Sequence, residues 1–101
     1  MKILVCDTLN STVLDELHSL GECIDISASE SKNQDLVSEI SKAEIVVIRS
    51  ATKLSKEIIE KGDNLKIIAR CGVGVDNIDV EYAKSQNIKV TNSPSANLIS
   101  V

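Results

Sequence analysis

Two short runs in this 101-residue chain carry the groups best suited to holding an anion. The first is Arg49-Ser50-Ala51-Thr52-Lys53, which directly follows the apolar run Ile45-Val46-Val47-Ile48. A guanidinium at such a place can make paired, planar bonds to a carboxylate or phosphate. The second is Arg70-Cys71-Gly72-Val73-Gly74-Val75-Asp76-Asn77, where closely spaced glycines leave backbone amides, above all around Val73 and Gly74, free to cradle a carboxylate. Asp7 and Asn92-Ser93-Pro94 come directly after two other apolar runs. Both groups have a plainer alternative. Arg49 can be a structural arginine bonded to loop carbonyls or to Asp7, and the glycine run can be a simple tight turn.

Other chemistries fare less well. The glycine run resembles the GxGxxG dinucleotide fingerprint, but Asn77 stands at the third glycine, the next capping residue is Asp79, and no acidic residue ends the following strand to hold a ribose. Cys71 would need a nearby base to act as a nucleophile, and the single histidine, His18, falls in a predicted helix near the other end of the chain. Cys6, Cys23 and Cys71 are odd in number, widely spaced and without a CxxC pair, which argues for reduced thiols and against a disulfide framework or a structural zinc site. Lys56, Glu57, Glu60 and Lys61 read as a solvated helix face.

The elements that must position these residues alternate along the chain. Strands are expected at Lys2 to Cys6, Cys23 to Ile26, Ile45 to Ile48, Leu65 to Ala69 and Ile88 to Thr91. Between them lie a helix from Ser11 to Leu20, with Leu14, Leu17 and Leu20 on one face and Gly21 ending it, and a second helix carrying Leu36, Val37, Ile40 and Ala43. A third helix has Ser55 as its cap, with Leu54 and Ile59 at staple spacing and Gly62 as its end, and a fourth runs from the cap Asp79 to about Gln86. Ile45 to Ile48 is apolar throughout and predicts burial on both faces. Five strands alternating with helices imply right-handed crossovers and an α/β, flavodoxin-like three-layer domain with a five-stranded parallel sheet, in the order 2-1-3-4-5. Ligands of such sheets collect at the carboxyl ends of the strands, where Arg49, Arg70 and the glycine run would lie.

Composition narrows the class. Apolar residues make up 43% of the chain while Tyr82 is its one aromatic residue, so the core must be aliphatic. The 15 acidic and 11 basic side chains give a net charge of −4, with lysines dispersed, which excludes a nucleic-acid-binding face. No apolar run approaches the ~20 residues needed to span a bilayer, and no signal-peptide core follows Met1-Lys2, so a cytoplasmic protein without membrane partners is expected.

Taken in order, Val47-Ile48-Arg49-Ser50-Ala51-Thr52-Lys53, Ala69-Arg70-Cys71-Gly72-Val73-Gly74-Val75-Asp76-Asn77-Ile78-Asp79 and Asn92-Ser93-Pro94-Ser95-Ala96-Asn97 resemble the D-2-hydroxyacid dehydrogenase family, strongly from Ile45 onward and only in pattern over the first 40 residues. The resemblance implies an NAD-dependent oxidoreductase acting on a small anionic 2-hydroxy acid, and the RSATK block with Arg70 points to a phosphorylated one. It makes residues 1–94 the larger part of a substrate-binding domain and residues 95–101 the start of a helix leading to an NAD-binding domain. Arg49 and Ser50 would then face the substrate, the amides of Val73 and Gly74 would hold its carboxylate, and Arg70 would assist at the phosphate end. Asn97 would sit where substrate, NAD and hinge meet, with Val73 beside the nicotinamide. The family's catalytic Arg, Glu and His have no counterpart here, and His18 is not that histidine.

Ser95 reads as a cap and Leu98, Ile99 and Val101 begin an apolar periodicity, so this chain is expected to be a piece of a longer protein, able to self-associate through those residues; the resemblance further implies a homo-oligomeric enzyme and a piece that is inactive by itself. Two readings of another class compete. A phospho-receiver module would share the fold and Asp7 but needs an aspartate where Arg49 stands, and a free-standing regulatory module would not leave an apolar helix turn at its end.

Overall fold

A computed structural model of the chain describes residues 1–72 and 76–93. Nine elements alternate: β1 (Lys2–Val5), α1 (Ser11–Leu20), β2 (Glu22–Asp25), α2 (Lys32–Ile40), β3 (Ile45–Ile48), α3 (Lys56–Ile59), β4 (Ile67–Cys71), α4 (Val80–Ser85) and β5 (Lys89–Ser93). The strands form one sheet in the order β2-β1-β3-β4-β5, and every pairing is parallel. Ile3 lies opposite both Cys23 and Ile45, and Ile48 opposite Arg70, so the carboxyl ends are aligned along one edge.

Alternation of side chains across the strands divides the core in two. Leu4, Val46, Ile48 and Ile68 point to the face covered by α2, α3 and α4, where Leu36, Ile40, Ile59 and Ala83 meet them. Ile3, Val5, Ile45, Val47 and Ala69 point to the other face, against Val13 and Leu17 of α1. All four residues of β3 are buried, which is the two-sided burial its unbroken apolar run predicts. These helices on both faces of a parallel sheet are the expected three layers. No helix among the described residues is long and apolar enough to cross a membrane.

Local signals account for most boundaries. Asn10 caps α1 by accepting from the Val13 amide at 2.9 Å, and Asp79 caps α4 by accepting from the Tyr82 amide at 3.0 Å. Gly21 ends α1 for a second reason besides the helix stop. A Cβ there would lie 2.2 Å from the Met1 carbonyl oxygen, because the chain turns into β2 against the start of β1. Asn87, at φ 62°, takes the left-handed turn after α4 that glycine often supplies.

Several expectations need correction. Strands β2, β4 and β5 are shifted by one or two residues, since pairing partners rather than the apolar run decide where a ladder stops. Ser55 occupies the cap position of α3 without a side-chain bond, and that helix is a single turn, held by Ile59 in the core. Leu20 and Val37 belong to the exposed surface, displaced from the buried stripes that Val13 and Leu17, and Leu36 and Ile40, define. Lys56, Glu57, Glu60 and Lys61 are exposed as expected, and the Lys56 ammonium in addition lies 5.5 Å from the centre of the Tyr82 ring. The expected interdomain helix, with Ser95, Leu98, Ile99 and Val101, lies outside the described residues.

The two faces of α2 provide a direct check. Ile40 is 0% exposed and Val37 39% exposed. Ile40→Ala is expected to cost about 2–5 kcal/mol and Val37→Ala no more than about 0.5 kcal/mol, read from urea unfolding. Similar losses would contradict this packing.

Candidate functional site

The chain leaves β1 toward α1 on one face and leaves β3 toward α3 on the other, so a crevice opens between the two strand ends. Asp7 fills it. Although only 3% exposed, its carboxylate is fully engaged. Oδ1 accepts from the Lys32 ammonium and from Thr52 Oγ1 at 2.6 Å, and Oδ2 accepts from the Arg49 amide at 2.6 Å and the Thr52 amide at 3.2 Å. Burial pushes the Asp7 carboxyl up, but the bonds from Lys32, Thr52 and the Arg49 amide, with the charge of Lys32, outweigh it and hold the group below the usual carboxylate range.

Asn77 holds the same loop from the other side. Its side-chain amide donates to the Arg49 carbonyl at 2.7 Å and to the Thr52 carbonyl at 2.6 Å, which fixes the orientation of the amide. Next to it, the Leu54 amide donates to the Asn77 carbonyl at 2.8 Å and the Asp79 amide to the Leu54 carbonyl at 2.9 Å, forming an isolated parallel bridge between Leu54 and Ile78. The segment leaving β3 is thereby stitched to the segment just past the glycine run.

Arg49 and Ser50 are exposed at this edge. The Arg49 guanidinium donates to the Thr8 carbonyl at 3.3 Å, so the bond to a loop carbonyl anticipated for a structural arginine is present; Asp7 takes its backbone amide instead. Arg70 is half-buried at the end of β4, one strand over. Gly72 begins the glycine run at φ 151°, a backbone conformation that side chains disfavour, and a Cβ there would lie 3.7 Å from the Arg70 guanidinium. Arg49, Ser50, Arg70 and the start of the glycine run therefore share one edge. Val73, Gly74 and Asn97 lie outside the described residues.

The cysteines offer no activated nucleophile. Burial, with Asp7 nearby, pushes the Cys6 thiol up to about 12, and burial also raises Cys71, with the charge of Arg49 offsetting part of the effect. His18 lies in the last turn of α1, whose end packs beside Met1 at the opposite edge of the sheet. Among the described residues no group of three or more His, Cys, Asp or Glu side chains could hold a metal ion. Nor do these residues suit a dinucleotide. Asn77 replaces the third glycine, α4 begins only at Val80, and β5 ends in Asn92 and Ser93 without an acid.

Sequence reasoning missed Thr52 and Lys32 and undervalued Asp7 and Asn77. The signals were an aspartate directly after a strand and an asparagine where a dinucleotide loop would need glycine.

Removing the Asp7 charge tests the scaffold. Asp7→Asn leaves one acceptor oxygen for four donors and is expected to cost about 2–4 kcal/mol at neutral pH. Because the folded carboxyl is depressed, the stabilisation is present above the unfolded value of about 3.9 and is lost as pH falls through the lower folded value. The gap between wild type and variant should therefore close below about pH 4 in urea unfolding series. A gap independent of pH would show that the charge contributes nothing.

Comparison with known proteins finds relatives over most or all of the chain. The chain is 44% identical over 101 residues to a D-3-phosphoglycerate dehydrogenase of Methanocaldococcus jannaschii, covering 100% of this chain and 19% of that protein. It is 46% identical over 80 residues to a hydroxypyruvate reductase of Thermotoga maritima, covering 79% of this chain and 26% of that protein. The crystal structure of an NAD+-bound 3-phosphoglycerate dehydrogenase from Entamoeba histolytica superposes with a TM-score of 0.77 at 32% identity, over 91% of this chain and 32% of that one. The chain thus spans about a fifth to a third of the length of these proteins. The family model of the D-isomer specific 2-hydroxyacid dehydrogenase catalytic domain matches residues 3–101, and the chain belongs to that family.

Proposed function

We propose that this chain is the substrate-binding part of an NAD-dependent dehydrogenase that oxidises D-3-phosphoglycerate to 3-phosphohydroxypyruvate, the reaction leading into serine biosynthesis. The observation that carries the reading is the meeting of Arg49, Ser50, Arg70 and the start of the glycine run on one sheet edge. The 44% identity to a D-3-phosphoglycerate dehydrogenase over the whole chain supports the choice of substrate.

In this reading the Arg49 guanidinium and the Ser50 hydroxyl face the acid, and the amides of Val73 and Gly74 hold its carboxylate. Arg70 steadies the phosphate end, while Val73 and Asn97 border the nicotinamide side. Each of these contacts binds and orients; none moves a proton. The reaction takes a hydride from C2 to NAD and a proton from the hydroxyl, and that proton needs a base which this chain does not supply, His18 being at the far edge. The described residues do not fit the dinucleotide, so NAD and the catalytic Arg, Glu and His belong to further sequence. The chain alone is therefore inactive, since orientation and exclusion of water require a second wall to the cleft. The intact enzyme is a homo-oligomer.

A second reading within the family is a hydroxypyruvate or glyoxylate reductase, favoured by the 46% identity to a hydroxypyruvate reductase over 80 residues. NAD reduction with D-3-phosphoglycerate, and NADH oxidation with hydroxypyruvate and glyoxylate, should be measured on the 101-residue chain and on the full product of its reading frame. Activity with D-3-phosphoglycerate in the longer chain alone supports the proposal, and preference for an unphosphorylated acid selects the second reading. Activity of the 101-residue chain overturns the division of labour. In the active protein Arg49→Ala is expected to raise KM for the acid by about 10–100-fold.

A further inference from the structure

The segment Arg49 to Thr52 is held by its backbone from two sides, and the two holders differ in what they are attached to. Asp7, which takes the two amides, is continuous with β1 and bonded to Lys32 of α2, so it ties the segment to the body of the domain. Asn77, which takes the two carbonyls, lies at the far end of the run that starts at Gly72. Its Oδ1 is buried and without a partner among the described residues, so both bonds that define its position go to the Arg49 segment. A buried amide with half its capacity unused is costly to keep, and its two donors, both spent on one neighbouring loop, make that loop its evident purpose.

We propose that Asn77 is a positioning residue that fixes the Arg49 segment against the Asn77–Asp79 segment leading into α4, and so sets how far the Arg49 guanidinium reaches toward the acid. The inference rests on the reading that this edge binds an anionic 2-hydroxy acid. Asn77 touches neither substrate nor cofactor in this scheme and acts through Arg49. Losing the amide leaves Asp7 in place, so the segment stays on the sheet but its outward end is free to shift against the Asn77–Asp79 segment. Binding of an acid held by Arg49 then weakens, while the chemical step in the acid once bound is unaffected.

The test is a double-mutant cycle in the full product of the reading frame, with Arg49→Ala, Asn77→Ala and the combination, and with Asn77→Asp as an isosteric second variant that turns an acceptor toward the two carbonyls. Asn77→Ala is expected to raise KM for the phosphorylated acid about tenfold with kcat within about twofold, and the penalty should shrink to less than about twofold when Arg49 is already absent. KM for NAD should not move, and the preference for the longer acid over glyoxylate should narrow. Full additivity with Arg49→Ala, equal losses for acid and NAD, or failure of both Asn77 variants to fold would each overturn the proposal and make Asn77 a general structural residue. If the wild type turns over no 2-hydroxy acid, the functional reading fails separately. The positioning role is then decided by amide hydrogen exchange at Leu54 and Asp79, whose amides join the two segments, in the same protein, where unchanged exchange in Asn77→Ala refutes it.

Discussion

A buried carboxylate with four donors organises the edge on which this domain's chemistry depends. Asp7 sits where the chain from β1 and the chain from β3 part toward opposite faces, a place that in open α/β sheets is a natural crevice for a ligand. Here the crevice is closed by the protein's own anion. The Arg49 and Thr52 amides, which could otherwise bind a foreign oxyanion, are already satisfied by Asp7. In the proposed reading an anion is left to the outward side chains of Arg49 and Ser50 and to the end of β4 with Gly72. Charge neutrality is met locally by Lys32, so the surface cation Arg49 is not consumed in balancing Asp7.

The fold was largely legible because its determinants are local and one-dimensional. Ile45 to Ile48 could only be a strand buried on both sides, and Asp79 could only cap a helix, since its carboxylate had a first-turn amide within reach. The alternation of elements announced a parallel sheet, while its strand order, which alternation leaves open, was chosen by fold type and matches the observed one. Strand ends were less legible: the ladder of β4 runs through Arg70 and Cys71 because β5 offers Asn92 and Ser93 as partners, which no apolar pattern can announce. Helix faces erred at Leu20 and Val37, where apolar residues simply lie on the surface, as they often do.

The site was legible in its outer residues and hidden in its supports. Arg49, Ser50 and Arg70 could be placed at this edge from their positions at or just past the strand ends, because the apolar runs before them announce where the strands finish. Thr52 and Asn77 are uncharged side chains whose hydrogen bonds span 45 and 25 residues of sequence, and such pairings leave no mark in a single chain. The one hint was negative: Asn77 spoils a dinucleotide fingerprint, and the bonds it makes give a physical reason for its presence.

The hold on the Arg49 segment has one further property. Four of its bonds to Asp7 and Asn77 run through main-chain groups of Arg49 and Thr52 and a fifth through the Thr52 hydroxyl, and none of these five uses the side chains of Arg49, Ser50 or Ala51. The path of the loop is therefore indifferent to what those positions display. It behaves as a socket with exchangeable teeth: evolution, or a designer, can alter the three outward side chains and so what the edge displays, while the frame beneath them keeps its shape.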